Sequence, residues 1–335
     1  MAASSRSGVS AKIWALAALI VVAIALYTAG WFYAAATLKA NTLAALGKQQ
    51  DRGVTAECAD ATYRGYPFRI GLFCSKVTID DSAKGISASF GALRSAAQVY
   101  APSHILWELD GPSELRTGNG LSVTSQWNDL QASLNTVAGG LERSSTVIRG
   151  LTAAITSSQT GQAVDLKVEQ AEIHARQNGA DLDAALTLRN SDLTARGLPL
   201  QIPRFTAVAD VTLAGKAGLL EGQDDTGTGL YGTKGEIRQL GIDLGDGQIL
   251  SVSGPISIDT EGRLSGKLKL QVEKIGAWRE RLSGNFPQLA KTIDTASKML
   301  SALTGGGDSA SLDLTLNRGK ILVGGFIAVG EIPPL

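Results

Sequence analysis

The uncharged apolar run over residues 13–36 limits what this chain can fold into more than any other feature. An α-helix rises about 1.5 Å per residue, so roughly 20 apolar residues cross the hydrocarbon core of a bilayer. Trp14 lies near one end of the run, and the triplet Trp-Phe-Tyr at 31–33 lies near the other, where aromatic rings favour the membrane interfaces. The run therefore predicts a transmembrane helix that tethers the rest of the chain.

The charges beside this run predict its orientation. Arg6 and Lys12 precede it with no acidic residue among them, so residues 1–12 are expected in the cytoplasm and the remainder is expected to be exported. A cleavable signal peptide is the alternative, because the alanines at 34–36 would suit a cleavage site. The run is longer than the apolar core of an ordinary signal peptide. We therefore favour an uncleaved signal anchor, continued by a juxtamembrane helix over residues 37–50.

The charge balance narrows the class of partner. The 335 residues carry 31 Lys and Arg against 31 Asp and Glu, and the basic residues form no cluster. Because proteins bind nucleic-acid phosphates through basic surfaces, we expect no nucleic-acid partner. Removing the anchor leaves roughly 300 residues, which is enough to bury a sizeable core in one large or two smaller domains.

Two cysteines, Cys58 and Cys74, flank a turn that contains glycine and proline. Strand-forming runs over 54–60 and 68–80 surround that turn, and the midpoint between the cysteines falls at Tyr66. If the turn centres a hairpin, the two thiols face each other across it, and an oxidising compartment would let them pair. We predict a disulfide, with two free thiols as the alternative; a zinc site would need further thiols or nearby histidines.

Alternation of apolar and polar residues dominates the rest of the chain. Val164, Leu166 and Val168 alternate with charged residues, and residues 182–188 repeat the pattern. A period of two predicts half-buried antiparallel strands, which tight turns join into consecutive hairpins. Further strands are predicted over 121–134, 205–213, 237–244, 249–258, 264–272, 312–316 and 321–327.

Residues 51–335 are therefore predicted to form a mainly β (α+β) domain, which is a long, twisted or curved antiparallel sheet with one or two packing helices. The loop at 221–235 is rich in Gly, Asp and Thr, and it is a candidate seam between two halves of the sheet.

One amphipathic segment is suited to cover the apolar side of such a sheet. Its apolar residues recur at steps of three and four, as on one face of a helix. Packing against the sheet is one interpretation; a lid over a lipid groove, or a surface that meets the membrane, is the other. The residues of this stripe are Phe286, Leu289, Ile293, Ala296, Leu300 and Leu303.

The chain contains no sequence pattern that marks catalysis. Residues 227–232 fit G-x-G-x-x-G, but the strand before it and the helix after it that a dinucleotide site needs are missing from the sequence pattern. His104 and His174 are the two histidines, and neither belongs to a metal-binding or nucleophile motif. We therefore expect a non-enzymatic protein without a metal or another cofactor.

The first hairpin and the strands that follow it resemble a known bacterial family. The segment Gly-Tyr-Pro-Phe-Arg lies between the two cysteines, and Leu-x-Gly-Pro strands and a closing Ile-Pro-Pro-Leu come later. This arrangement is similar to the family called domain of unknown function 2125 (DUF2125). The residues of the hairpin motif are Gly65, Tyr66, Pro67, Phe68 and Arg69.

With the orientation predicted from the flanking charges, a bacterial family implies that the protein lies in the inner membrane with its C-terminal domain in the periplasm. The Gly-Tyr-Pro-Phe-Arg segment and the abundance of strands also resemble AsmA-like envelope proteins, which implies a groove-shaped sheet that handles lipid. The expected function is therefore to bind or pass lipid along an apolar sheet face. The alternative is an envelope scaffold or assembly factor that docks a partner protein.

The choice between anchor and signal peptide predicts the mass of the mature chain. We expect the protein purified from membranes to retain residues 1–36, because the apolar run is too long for an ordinary signal peptide. Intact-mass measurement tests this directly. A mature chain that starts near Thr37 would contradict the anchor.

Overall fold

The computed structural model describes residues 7–50, 53–137, 140–196, 202–221, 229–303 and 305–335. Its helices are α1 (Ser7–Gln50), α2 (Gly218–Glu221), α3 (Ile275–Asn285) and α4 (Ala290–Leu303), with a 3₁₀ turn at Pro287–Leu289. Its strands are β1 (Val54–Ala59), β2 (Thr62–Arg64), β3 (Arg69–Cys74), β4 (Lys76–Asp81), β5 (Ile86–Phe90), β6 (Leu93–Gln98), β7 (Ala101–Leu109), β8 (Ser113–Thr117), β9 (Leu121–Gln126), β10 (Asp129–Val137), β11 (Gly140–Ser157), β12 (Ala163–Asn178), β13 (Asp181–Arg196), β14 (Phe205–Leu213), β15 (Lys234–Asp243), β16 (Ile249–Ile258), β17 (Leu264–Glu273), β18 (Ser309–Asn317), β19 (Lys320–Val323) and β20 (Ile327–Glu331).

The strands form one antiparallel sheet that follows the order of the chain. From β11 to β20 each strand pairs with the next one, and α3 and α4 interrupt the meander only between β17 and β18. This arrangement confirms the predicted long sheet of consecutive hairpins. Part of the predicted seam, residues 222–228, lies outside the described residues, and the end of that predicted loop belongs to β15.

The first ten strands form five long strands, each of which is interrupted once. The five interruptions lie next to one another and form a line across the sheet. The breaks at residues 60–61, 75, 91–92, 110–112 and 127–128 lie side by side, and we call this line the crease. The first wing contains β1, β4, β5, β8 and β9, and the second wing contains β2, β3, β6, β7 and β10. The predicted strand over 121–134 is therefore two strands, which pair with the two ends of β11.

Local conformations explain where the crease lies. Gly150 interrupts β11 with φ of 64°, and a Cβ atom there would lie 2.3 Å from the Asn128 side chain. Asn190 continues the line in β13 with φ of 49°, a region that asparagine tolerates better than most residues. The backbone N–H of Asn128 donates to the Arg149 carbonyl, so the break keeps its hydrogen bonds.

The inward-facing residues, which are apolar except for the buried Ser191, change phase where they cross the crease. Along an unbroken strand they recur every two residues, but at the crease the step is three. This extra residue keeps the apolar side chains on one side of the sheet although the strand bends. The steps of three are Cys74 to Val77, Phe90 to Leu93, Ile148 to Leu151, Val168 to Ala171 and Leu188 to Ser191.

The predicted disulfide between Cys58 and Cys74 is present. The hairpin register pairs Cys58 with Val77, so the cysteines are not directly opposite each other. The bond instead crosses the crease and joins the apolar side of the first wing to that of the second. The Cα atoms are 5.2 Å apart, which is ordinary for a disulfide.

Two helices pack on one end of the sheet. Val272, Ile275 and Ala310 form a buried cluster at that end, against which Trp278 of α3 and Leu300 of α4 pack. The predicted helix over 286–303 is shorter than expected, since α4 begins at Ala290 after the 3₁₀ turn. Sequence analysis overlooked α3, although its apolar residues Ile275, Trp278 and Leu282 have helical spacing.

The molecule exposes much more surface than a compact protein of its size. Its accessible area is 20393 Å², whereas a compact monomer of this mass is expected to expose about 13,000 Å². The excess comes from the exposed helix α1 and from strands with few fully buried side chains; none of the nine residues of β14, for example, is fully buried. The sheet is therefore largely a single open layer.

The disulfide at the crease generates a stability prediction. Replacing both Cys58 and Cys74 by serine should lower the free energy of unfolding by about 3 kcal/mol, because the bond closes a loop of about 15 residues. Urea titration in detergent measures this loss. Reduction should destabilise the native chain equally and leave the double variant unchanged, whereas two reactive thiols in the unreduced native chain would contradict the bond.

Candidate functional site

An apolar row runs across the second wing and continues along the sheet. The residues of this row are directly opposite one another in successive strands, so their side chains share one face. All but two of them are apolar. In register order they are Ser95, Trp107, Ala132, Thr146, Ile173, Leu186, Ala209, Leu240, Val252, Leu270 and Leu312.

The middle of this row is uncovered. The exposed fractions are 45% for Ile173, 36% for Leu186 and 48% for Leu240, and Ile242 beside them is 41% exposed. The helices α3 and α4 cover only the end at β16 to β18. A contiguous exposed apolar surface of this kind marks an interaction site more often than a folding defect.

One buried hydrogen-bond donor lies within the row without an acceptor. The indole N–H of Trp107 is buried and has no hydrogen-bond partner among the described residues. A buried donor normally finds an acceptor, because leaving it unpaired costs about 1–3 kcal/mol. This N–H has almost no accessible surface, so a ligand on the row would meet apolar side chains and not this donor.

The first hairpin turn contacts the long apolar helix α1. Thr28 and Tyr66 are hydrogen-bonded through their hydroxyl oxygens, 2.7 Å apart, and the Trp31 indole N–H donates to the Arg69 carbonyl at 2.9 Å. The Tyr27 hydroxyl donates to the Pro67 carbonyl. Tyr66 also contacts the rings of Trp31 and Phe32. The motif at residues 65–69 thus fixes β3, and with it the start of the second wing, against α1.

The opposite face of the sheet is polar over β12 to β15. Asp183 is the most buried charge there, with a side chain 4% exposed. Its carboxylate accepts hydrogen bonds from Thr212 at 2.7 Å, from Arg176 at 2.9 Å and from Arg238 at 2.9 Å. Burial by itself raises the pKa of Asp183, but these bonds outweigh it and lower the pKa to about 2.

The structure brings Ser145, His174 and Glu172 together on this polar face, which sequence reasoning did not foresee. His174 Nδ1 lies 3.0 Å from Ser145 Oγ, but its Nε2 lies 3.6 Å from Glu172, too far for a hydrogen bond. Ser145 lies within β11, which is paired with β10 on one side and with β12 on the other. The backbone N–H groups around Ser145 are therefore engaged in the sheet, and none is free to form an oxyanion hole. The other histidine, His104, pairs with Asn135.

The predicted lid residues divide between two environments. Phe286, Ile293 and Leu300 are half-buried, whereas Leu289 and Ala296 are exposed. The side chain of Leu303, at the end of α4, lies outside the described part of the chain. Within the described residues, no group of three or more His, Cys, Asp or Glu side chains could hold a metal ion.

The Asp183 cluster predicts how stability depends on pH. The folded-state pKa is depressed, so the stabilisation is complete above about pH 4 and disappears as the pH falls toward 2. Asp183→Asn should lower the free energy of unfolding at neutral pH by about 2 kcal/mol. Urea titrations of the variant across this pH range should show that its free energy of unfolding depends less on pH than that of the native chain.

The matched control for this variant is Asp80→Asn, because Asp80 is an exposed residue of β4, outside the Asp183 cluster. This control should unfold like the native chain at every pH. Equal stability of the Asp183→Asn variant and the native chain at neutral pH would contradict the role given to the cluster.

Comparison with known proteins gives one match. A family model described as "Uncharacterized protein conserved in bacteria (DUF2125)" matches residues 31–333. No curated protein and no solved structure matches the chain, so the AsmA-like resemblance stays a prediction. The matched region begins in α1 and includes every strand of the sheet. The chain therefore belongs to the DUF2125 family.

Proposed function

We propose that this protein is anchored in the bacterial inner membrane by α1 and binds lipid acyl chains along the apolar row, on the periplasmic side. The observation that carries the proposal is the uncovered middle of the row, where Ile173, Leu186 and Leu240 remain exposed. An acyl chain would remove this apolar area from water at roughly 25 cal/mol per Å².

The path from the membrane to this surface supports a lipid over another apolar ligand. The turn at residues 65–69 contacts α1, and β3, which follows that turn, pairs with β6, the strand that carries Ser95 of the apolar row. The row then crosses the sheet away from the membrane helix. A lipid that leaves the bilayer beside α1 would meet apolar side chains on successive strands.

The chemistry of the row fits binding rather than turnover. Its apolar residues offer no nucleophile or general base. We propose that the protein is not an enzyme and needs no cofactor. The disulfide supports an oxidising compartment such as the periplasm.

The second candidate function is an envelope scaffold that docks a partner protein. The observation that favours it is the edge strand β20, all five residues of which are exposed. Phe326 and Val329 at this edge are 80% and 59% exposed. An unpaired edge of this kind can accept a strand from another protein.

Photocrosslinking in living membranes separates these functions. A photoreactive amino acid at Leu240 would face along the apolar row, while the same group at its neighbour Gln239 would face the polar side. We expect lipid adducts at position 240 and not at 239, because alternate residues of a strand point to opposite faces. Mass spectrometry of the adducts identifies the lipid.

Two results would contradict lipid binding. One is a single stoichiometric protein adduct at position 240, which would favour the scaffold. The other is equal lipid labelling at positions 239 and 240, which would mean that the reagent samples lipid without a bound site.

A further inference from the structure

We infer that the tip of the hairpins β2–β3 and β6–β7, the first two hairpins of the second wing, inserts into the outer half of the bilayer, on the side of the sheet domain. The tip is defined by Tyr66, Phe68, Val99 and Tyr100. The tip would be a second membrane contact, separate from the spanning helix. The inference rests on the anchor in the proposed function and is independent of lipid binding by the sheet.

The contacts between the tip and α1 fix its depth. The candidate span is Ala11–Lys39, and Lys12 marks its inner boundary. A hydrocarbon core of about 30 Å that begins at Ile13 would end near residue 32, at about 1.5 Å of rise per residue. Tyr27, Thr28 and Trp31, which hold the turn, all lie below that level.

The polar atoms at this contact are paired as lipid surroundings require. Hydroxyl and indole groups of α1 reach two carbonyls and one hydroxyl of the turn, so each of these groups has a partner without water. An unpaired polar group in hydrocarbon is strongly unfavourable, because no water is present to replace the missing partner. Trp31 and Ala35 are buried by the contact, with exposed fractions of 6% and 9%.

The outer surface of the tip is aromatic and exposed. Phe68 is 69% exposed and Tyr100 is 76% exposed, with Val99 between them at 37%. The two turns are joined, because the Val99 N–H donates to the Phe68 carbonyl at 3.1 Å. Large exposed aromatic side chains are unfavourable in water but suit the interfacial and upper acyl regions of a bilayer.

The charges around the tip also fit a membrane surface. No acidic residue occurs between Asp60 and Asp80, while Arg64 and Arg69 flank the turn. Both arginines are exposed. Arginines at this level would meet the phosphates of the lipid headgroups, to which they are attracted electrostatically. A bilayer is therefore a better occupant of this surface than a second protein with an unspecified complementary face.

Site-specific fluorescence measures the depth of the tip. The variants Phe68→Cys and Tyr100→Cys carry an environment-sensitive dye in the full chain, reconstituted into vesicles of phosphatidylethanolamine and phosphatidylglycerol. Lys84→Cys is the matched control, because Lys84 is an exposed turn residue between β4 and β5, on the first wing. The native cysteines are disulfide-bonded, so each folded variant should have one reactive thiol.

We expect dye at positions 68 and 100 to emit at shorter wavelength than at 84, and to be quenched by spin-labelled phospholipid but not by aqueous iodide. Iodide quenching at position 68 or 100 as strong as at 84 would overturn the insertion. Flotation of the same vesicles tests the anchor separately. Protein that floats with an aqueous signal at position 68 refutes only the insertion, whereas protein that fails to float refutes the anchor.

Discussion

The need to keep apolar side chains on one side of a bent antiparallel sheet determines most of this structure. A regular strand alternates its side chains strictly, so a bend alone would not change which residues share a face. The extra residue at the crease shifts the alternation by one, as between Val168 and Ala171 in β12. The disulfide then holds the two apolar faces together at the crease. The result is a continuous apolar surface that, among the described residues, α3 and α4 cover at one end.

The position of the membrane helix relative to this surface links the fold to the proposed function. Tyr66 and Arg69 hold the first hairpin against α1, so the second wing starts beside the helix and the apolar row leads away from it. Neither feature would indicate lipid without the other. An apolar sheet far from a membrane would suggest a protein partner. A membrane helix attached to a polar domain would indicate only where the protein is located.

The secondary-structure elements and their order could be predicted well from the sequence, because the periodicity of apolar residues is a local property. Sequence analysis identified the long apolar N-terminal helix, the strands β14 and β16 with their bounds, the disulfide, and the meander of hairpins. It did not predict the crease, although the step of three residues at Phe90 and Leu93 is visible in the printed sequence. A single shift in the alternation of one strand cannot be told from an irregular sequence. It becomes recognisable as part of the crease only when the register with the neighbouring strands is known.

The candidate site was harder to predict for the same reason. The row is assembled from single residues in eleven strands, so no continuous motif encodes it. The hairpin motif at 65–69 stood out as a pattern, but its contact with Trp31 of α1 depends on tertiary structure. The missed helix α3 had a signal in Ile275 and Trp278, which Gly276 and Gly284 obscured because glycine disfavours helices.

The most direct test of the central claim is the amount of lipid that the purified protein retains when the apolar row is made acidic. Leu186→Asp with Leu240→Asp places two charges on the uncovered row, and Thr187→Asp with Gln239→Asp places them on the opposite face of the same strands. Lipid extracted after purification in mild detergent is quantified by mass spectrometry. The account predicts that only the first pair loses lipid relative to the native chain; equal retention by both pairs would contradict it.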